Sequence, residues 1–254
     1  MTWDPAQYAR FQAERSRPFF DLLAMVEARA SMRVLDLGCG SGELTRAMHE
    51  KLGAARTLGV DSSPAMLARA APLAGDGLEF APGRIQEWPA DGAWDLVYAN
   101  ASLHWIEEQP RLLAHLRGML AAGGQLAFHV PANHDHASHL VAGEVAEEEP
   151  FAAALRGWSR GVPVLAPRTY DEVLYELGFP RRRVELRIYG HEMPSIDAVV
   201  EWNKGASLTV YAERLGELWP AFLDRYRVRL RQRLGDRQPY YYTYARIFAW
   251  ACLN

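Results

Sequence analysis

Val34-Leu35-Asp36-Leu37-Gly38-Cys39-Gly40-Ser41-Gly42-Glu43 decides the fold of this 254-residue chain. An apolar run carrying one acid enters a glycine-rich turn and passes straight into a helix-like segment, Glu43 to Lys51, which reads as strand, turn and helix. A second apolar run, Thr57 to Val60, ends on Asp61. Glycines let the backbone turn tightly and approach a ligand closely. An acid closing the second strand can accept hydrogen bonds from both hydroxyls of a ribose. Together these residues describe a nucleoside site.

The spacing says which kind. A dinucleotide fingerprint sets its glycines at relative positions one, three and six, with the pyrophosphate on a helix N-terminus. Here the third glycine, Gly42, comes at position five and Glu43 at position six, where a carboxylate repels a pyrophosphate. Asp36, just before the turn, suits a ligand carrying positive charge, such as the ammonium and sulfonium of S-adenosylmethionine.

Working outward, Ser62-Ser63-Pro64 reads as an N-cap with proline in the first turn, opening a helix with Met66 and Leu67. Leu78 to Phe80 is a short third strand, and Trp94 to Asn100 a fourth, apolar enough to be buried on both faces. A helix from about Pro110 to Leu120 ends at Gly123-Gly124, and Gln125 to Val130 gives a fifth strand. Strands alternating with helices predict a doubly wound, mostly parallel α/β sheet whose ligand sits beyond the carboxyl ends. Gly38, Asp61, Asn100 and His129 fall at those ends.

Upstream, Trp3 to Arg17 reads as a helix stopped by Pro18, and Phe19 to Arg29 as a second. Segments before the first strand can lie over the ligand crevice, which makes Tyr8, Arg15 and Arg17 candidates. Downstream, Asn133, His134, His136 and His139 crowd together. Zinc sites usually add cysteine or carboxylate ligands in register, so this stretch reads as a loop with a substrate-contacting residue, and no metal is expected. Glu147 to Glu149 reads as a solvated helix end. Tyr170 to Gly178 is helical and Val184 to Tyr189 a strand. Ser195 to Leu234 is helical with Pro220 breaking it, and Arg225, Arg227, Arg229, Arg231 and Arg233 spread around the helix as solvated charge. Tyr244 to Cys252 forms a terminal strand antiparallel to Val184–Tyr189. The expectation is a seven-stranded Rossmann-like sheet in a single domain, residues 1–254. Its cofactor-binding core spans about 30–131, 180–190 and 244–254, with helical cap insertions over about 1–29, 132–170 and 191–240.

The net charge of −3 is the opposite of a nucleic-acid binder's basic excess. Two cysteines, Cys39 and Cys252, supply neither a disulfide framework nor a metal-ligand set. No apolar leader and no run of about 18 apolar residues occurs. A soluble cytoplasmic protein acting on a small molecule is expected, with no nucleic-acid or membrane partner.

The chain resembles the class I S-adenosylmethionine-dependent methyltransferases through Val34 to Gly42, Gly59-Val60-Asp61-Ser62-Ser63-Pro64-Ala65-Met66 and Ala99-Asn100-Ala101-Ser102-Leu103-His104-Trp105. Trp3-Asp4-Pro5, Glu14-Arg15-Ser16-Arg17-Pro18, Val130-Pro131 with Asn133, Ser138-His139 and His191 to Ser195 make it most similar to the trans-aconitate 2-methyltransferase family among these. The resemblance implies that Asp36, Gly38 and Gly40, with Cys39 between them, shape the methionine end of the cofactor. It implies further that Asp61 holds the ribose, Ser62 and Met66 flank the adenine, and Asn100 contacts the methionine moiety. Arg84 stands where the family often has an acid, so backbone groups at Arg84-Ile85 are expected to hold the adenine. Two elements depart from the family: Ser207-Leu208-Thr209-Val210 replaces Gly-Leu-Arg-Pro, and Tyr244-Ala245-Arg246 replaces Phe-Pro-Arg.

A carboxylate acceptor is ionised at neutral pH and needs positioning without a base. Arg15, Arg17, Tyr8 and His134 are candidates to supply it. A phenol, amide or ring nitrogen benefits from a base, for which His104, His129 and His134 are candidates. O-methylation of a carboxylic acid is the leading expectation. Methylation of an aromatic or heterocyclic metabolite is the alternative, followed by a non-catalytic S-adenosylmethionine-binding protein.

Overall fold

The computed structural model describes residues 12–254, with side chains from Ser16 onward. Helix α1 (Gln12–Leu23) precedes β1 (Arg33–Leu37), α2 (Glu43–Leu52), β2 (Arg56–Asp61), α3 (Pro64–Ala70), β3 (Leu78–Pro82), β4 (Trp94–Asn100), α4 (Gln109–Gly118) and β5 (Leu120–Pro131). Then come α5 (Ala137–Ala146), α6 (Phe151–Leu155), α7 (Pro167–Glu176), β6 (Arg181–Met193), α8 (Ile196–Lys204), α9 (Thr209–Leu215), α10 (Trp219–Leu234) and β7 (Tyr240–Cys252). The strands form one seven-stranded sheet in the order β3-β2-β1-β4-β5-β7-β6. Strands β1 to β5 run parallel, and β7 is antiparallel to its neighbours. The chain winds from β1 outward to β3 and then crosses to β4 on the other side of β1. The strand order therefore reverses at β1, and a doubly wound sheet binds its ligand at such a point.

Two compact units make up the chain. One holds Ala13–Pro131, Pro163–Arg187 and Arg246–Asn254; the other holds Ala132–Val162 and Ile188–Ala245, with Gln12. Residues 13–29 and 163–170 fall in the first unit, with the sheet. The core of that unit is the apolar centre of β1, β4 and β5, with Val34, Leu35, Leu96, Val97, Tyr98, Leu126 and Phe128 fully buried. No helix among the described residues is long and apolar enough to cross a membrane.

Several boundaries differ from the sequence expectations. Pro18 lies inside α1 instead of stopping a helix. An interior proline costs about 3 kcal/mol. Phe19, Leu22 and Leu23 are buried just after it, at about 1.5–3 kcal/mol each, and Tyr98 donates its hydroxyl to the Phe19 carbonyl at 2.6 Å. Packing therefore outweighs the break. Helix α4 stops at Gly118, and Leu120, already in β5, pairs with Trp94 of β4. Pro220 sits in the first turn of α10, where its missing N–H costs nothing, so it opens that helix. The glutamates after α5 are not simply solvated: Glu148 pairs with Arg225 and Arg229 of α10, as Glu144 within α5 does with Arg233.

Candidate functional site

Asp36 is placed by register between Gly59 of β2 and Tyr98 of β4, in the middle of the sheet, and is only 2% exposed. Thr45 of α2 donates its hydroxyl to Oδ2 at 2.6 Å, whereas Oδ1 has no partner among the described residues. Burial raises the carboxyl pKa to about 7, opposed by the Thr45 hydrogen bond and reinforced by the Asp61 charge. A buried acid with one vacant oxygen is a receptor for a cation.

The turn after β1 is held from β2. Gly38 and Cys39 donate their N–H groups to the Val60 carbonyl at 2.8 and 3.1 Å. Gly38 has φ +84°, and a Cβ there would lie 2.4 Å from the Ser102 Cβ. Ser102 in turn donates to the Leu37 carbonyl at 2.6 Å. Gly42 serves packing, since a Cβ would strike Phe80 and Ala70 at under 3 Å. Gly40 is different: nothing lies within 4 Å of its Cβ position, which leaves open space where a ligand's backbone-facing edge fits. The Cys39 thiol is pushed above its ordinary range, first by burial and then by the neighbouring acids, so it lines the turn as an inert group.

Asp61 ends β2 with both oxygens engaged by backbone: Oδ2 accepts from Gly40 N at 2.9 Å and Oδ1 from Ser63 N at 2.8 Å. Each carboxylate oxygen keeps a further lone pair for a hydroxyl donor. Ser63 caps α3 by accepting from Met66 N at 3.4 Å, which holds Met66 buried one turn into the helix while Ser62 remains exposed.

At the carboxyl ends of β4 and β5, Asn100 is paired in register with His129. The His129 ring is buried, with Nδ1 2.8 Å from Asn100 Oδ1 and Nε2 2.9 Å from an Arg246 terminal nitrogen. A guanidinium only donates, so Nε2 must accept and Nδ1 must carry the proton, which it donates to Asn100. Burial first, then the charge of Arg246, holds the imidazole pKa far below the usual histidine range. His129 is thus a neutral connector with both nitrogens committed. Thr45, Ser102, Phe80 and Arg246 carry no site signal in the sequence, because their contacts are made only once the chain has folded.

The other candidates are dispersed. Arg84 is exposed and pairs with Glu87 at 3.5 Å, at the start of the short turn Ile85–Glu87. His104 sits in the turn Leu103–Trp105 with its ring against Trp105, centroids 4.5 Å apart. Arg17 lies 3.8 Å from Asp21 and is largely exposed. His134 is exposed and belongs to the second unit. Tyr8 and the Arg15 side chain lie outside what the structure describes. In the second unit Ser207, in the segment that departs from the family, donates to Asn203 Oδ1 at 2.9 Å.

S-adenosylmethionine fits the first unit's residues: a vacant buried carboxylate oxygen for an ammonium, an uncrowded glycine turn, and a fixed acid with lone pairs for a ribose. Comparison with known proteins agrees. Residues 8–179 match the methyltransferase-domain family. The trans-aconitate 2-methyltransferase of Deinococcus radiodurans is 42% identical over 248 residues, 95% of each chain, and that of Escherichia coli is 36% identical over 234, covering 91% of this chain and 89% of the relative. The solved S-adenosylmethionine-dependent methyltransferase from Mesorhizobium loti shares the fold, with TM-score 0.52 at 23% identity over 94% of this chain and 97% of that one. The Haemonchus contortus phosphoethanolamine N-methyltransferase 2, solved with S-adenosyl-L-methionine, gives 0.57 at 17% over 93% of this chain and 52% of that one. This chain belongs to the methyltransferase-domain family, as a class I S-adenosylmethionine-dependent methyltransferase.

Proposed function

We propose that the chain methylates a carboxylate of a small polycarboxylic acid, the acceptor class for which its trans-aconitate 2-methyltransferase relatives are named. When bound, S-adenosylmethionine supplies an electrophilic methyl group on a sulfonium. Asp36 Oδ1 takes the ammonium and Asp61 the ribose hydroxyls. Gly40 leaves room for the chain between them, Met66 and Ser62 flank the adenine, and backbone at Arg84-Ile85 meets its edge. Asn100, oriented by the hydrogen bond its Oδ1 accepts from His129, contacts the methionine end.

The state of His129 carries the acceptor reading. Its acceptor nitrogen is occupied by Arg246 and its other nitrogen is protonated, so it does not take a proton from an acceptor. A carboxylate needs none removed; alignment and exclusion of water suffice. His129 is accordingly a positioning residue and not a base.

The test is transfer of labelled methyl from S-adenosylmethionine to trans-aconitate, other small acids, phenols and nitrogen heterocycles. Turnover confined to acids supports the proposal. Turnover of phenols or ring nitrogens with none of any acid overturns it and returns the search for a base to His104 and His134.

A further inference from the structure

Thr45, the third residue of α2, is wholly buried. A buried hydroxyl needs a partner, and Thr45 donates to Asp36 Oδ2 at 2.6 Å, nine residues back on β1. Valine would fill the same space, so packing alone does not call for a hydroxyl here.

The carboxylate it serves is unevenly satisfied. Oδ2 is held by a bond within the short range of hydroxyl-to-carboxylate contacts, while Oδ1 is buried with no hydrogen-bond partner among the described residues. A pair built for stability alone would place donors on both oxygens, because a carboxylate left open in the interior is costly. One oxygen is anchored and the other is kept open.

The groups around Asp36 do not replace Thr45. On β4, Tyr98 stands beside Asp36 in register, but burial pushes its phenol well above the ordinary range and its hydroxyl goes to the Phe19 carbonyl at 2.6 Å. In the turn, burial and then the two acids push the Cys39 thiol up. On α2, Glu43 pairs with Arg69, Arg46 with Glu50 and His49 with Thr57. Burial opposes ionisation of Asp36, and the charge of Asp61 at the end of β2 opposes it further. Among the described residues, Thr45 is the group that favours the anion.

We propose that Thr45 is a positioning residue of the cofactor site: by holding Oδ2 it keeps Asp36 anionic and leaves Oδ1 for the ammonium of S-adenosylmethionine. This rests on the assignment of Asp36 to the ammonium and is independent of which acceptor is methylated.

The full chain and its Thr45→Val and Thr45→Ser variants are titrated calorimetrically from pH 5.5 to 7.5 with S-adenosylmethionine and with 5′-methylthioadenosine, which keeps the nucleoside and lacks the ammonium. The Asp36 carboxyl is followed in the unliganded proteins by NMR of labelled aspartate. In Thr45→Val, loss of a hydrogen bond to a charged group is expected to move the Asp36 midpoint up by at least about one pH unit. S-adenosylmethionine should then bind about fivefold more weakly at pH 7, with 5′-methylthioadenosine near its parent affinity. Thr45→Ser, which keeps the hydroxyl, is expected to restore both. A midpoint and affinity equal to the parent's in Thr45→Val overturn the proposal, as does an equal loss for both ligands, which marks a purely structural role. Should Thr45→Val melt early, Thr45→Ala takes its place under the same outcomes. Asp36→Asn separates the underlying assignment. If it binds S-adenosylmethionine like the parent across this pH range, Asp36 is not the ammonium's partner and the proposal falls with it. If it flattens the profile and Thr45→Val does not alter it, Thr45 alone is dismissed.

Discussion

The backbone N–H of Gly40 donates to Asp61 Oδ2 at 2.9 Å, so the acid that closes β2 also fixes the glycine turn that closes β1. Asp61 therefore has two tasks, shaping the turn and presenting lone pairs to a ribose. Asp61→Ala removes both, and cofactor affinity measured by calorimetry is expected to fall by about a hundredfold, since hydrogen bonds to charged groups contribute about 1.5–3 kcal/mol each. Asp61→Asn should lose less, because its amide oxygen still accepts. An Asp61→Ala protein binding S-adenosylmethionine like the parent would remove Asp61 from the site.

Asp36 gives cofactor binding a pH dependence. Its carboxyl pKa is raised to about 7 in the folded protein, so below that pH it is largely protonated and neutral. An ammonium binds the ionised form better, and affinity should increase as pH rises from 5.5 to 7.5, by up to about 25-fold. For the unliganded fold the sign is reversed. The folded state holds this proton more tightly than the unfolded state, so Asp36 lowers stability as pH climbs from about 4 to about 7. Asp36→Asn should flatten both slopes, and an unaltered binding profile in that variant would refute the assignment.

Two glycines of the same turn should respond differently. At Gly38 a Cβ would lie 2.4 Å from Ser102 Cβ at φ +84°, combining backbone strain with overpacking, so Gly38→Ala is expected to destabilise by about 2–5 kcal/mol. At Gly40 no atom lies within 4 Å of the Cβ position and only the strain at φ +57° remains, about 1 kcal/mol. Chemical denaturation measures the first effect. Cofactor titration should show that Gly40→Ala nonetheless weakens binding, because the methyl group occupies the ligand's space.

Burial first, and then the charge of Arg246 beside Nε2, hold the His129 imidazole well below the usual histidine range. In Arg246→Met the burial remains while that contact is removed. The imidazole pKa should then move up toward the ordinary range without reaching it, as read by NMR of ring-labelled histidine. An unmoved His129 signal would show that burial alone sets its state.

The acid pairs of α10 are worth less than their number suggests. Glu148 is 23% exposed and meets two arginines that are each nearly half exposed, so Glu148→Ala is expected to cost no more than about 1 kcal/mol in thermal or chemical unfolding. A loss of several kcal/mol would mean that the pairs are far better shielded than their exposure indicates.

The sequence by itself determined the first half of the molecule. Val34 to Asp61 specifies strand, turn, helix and strand through contacts between near neighbours, and Trp94 to Asn100 forms β4 with the bounds expected. Asp36, Gly38, Gly40 and Asp61 converge because parallel winding carries every strand end to one edge of the sheet. Those positions depend on local periodicity and turn chemistry, which a sequence displays directly. Tertiary structure decided the rest. Pro18 continues a helix because Phe19, Leu22 and Leu23 bury themselves. His129 changes from candidate base to connector because Arg246, far along the chain, reaches its second nitrogen. The arginines of α10 turn from solvated charge into ion pairs with Glu144, Glu148 and Asp197. Charge, tautomer and burial are set by what packs against a side chain from distant segments, and no local pattern in the sequence encodes that.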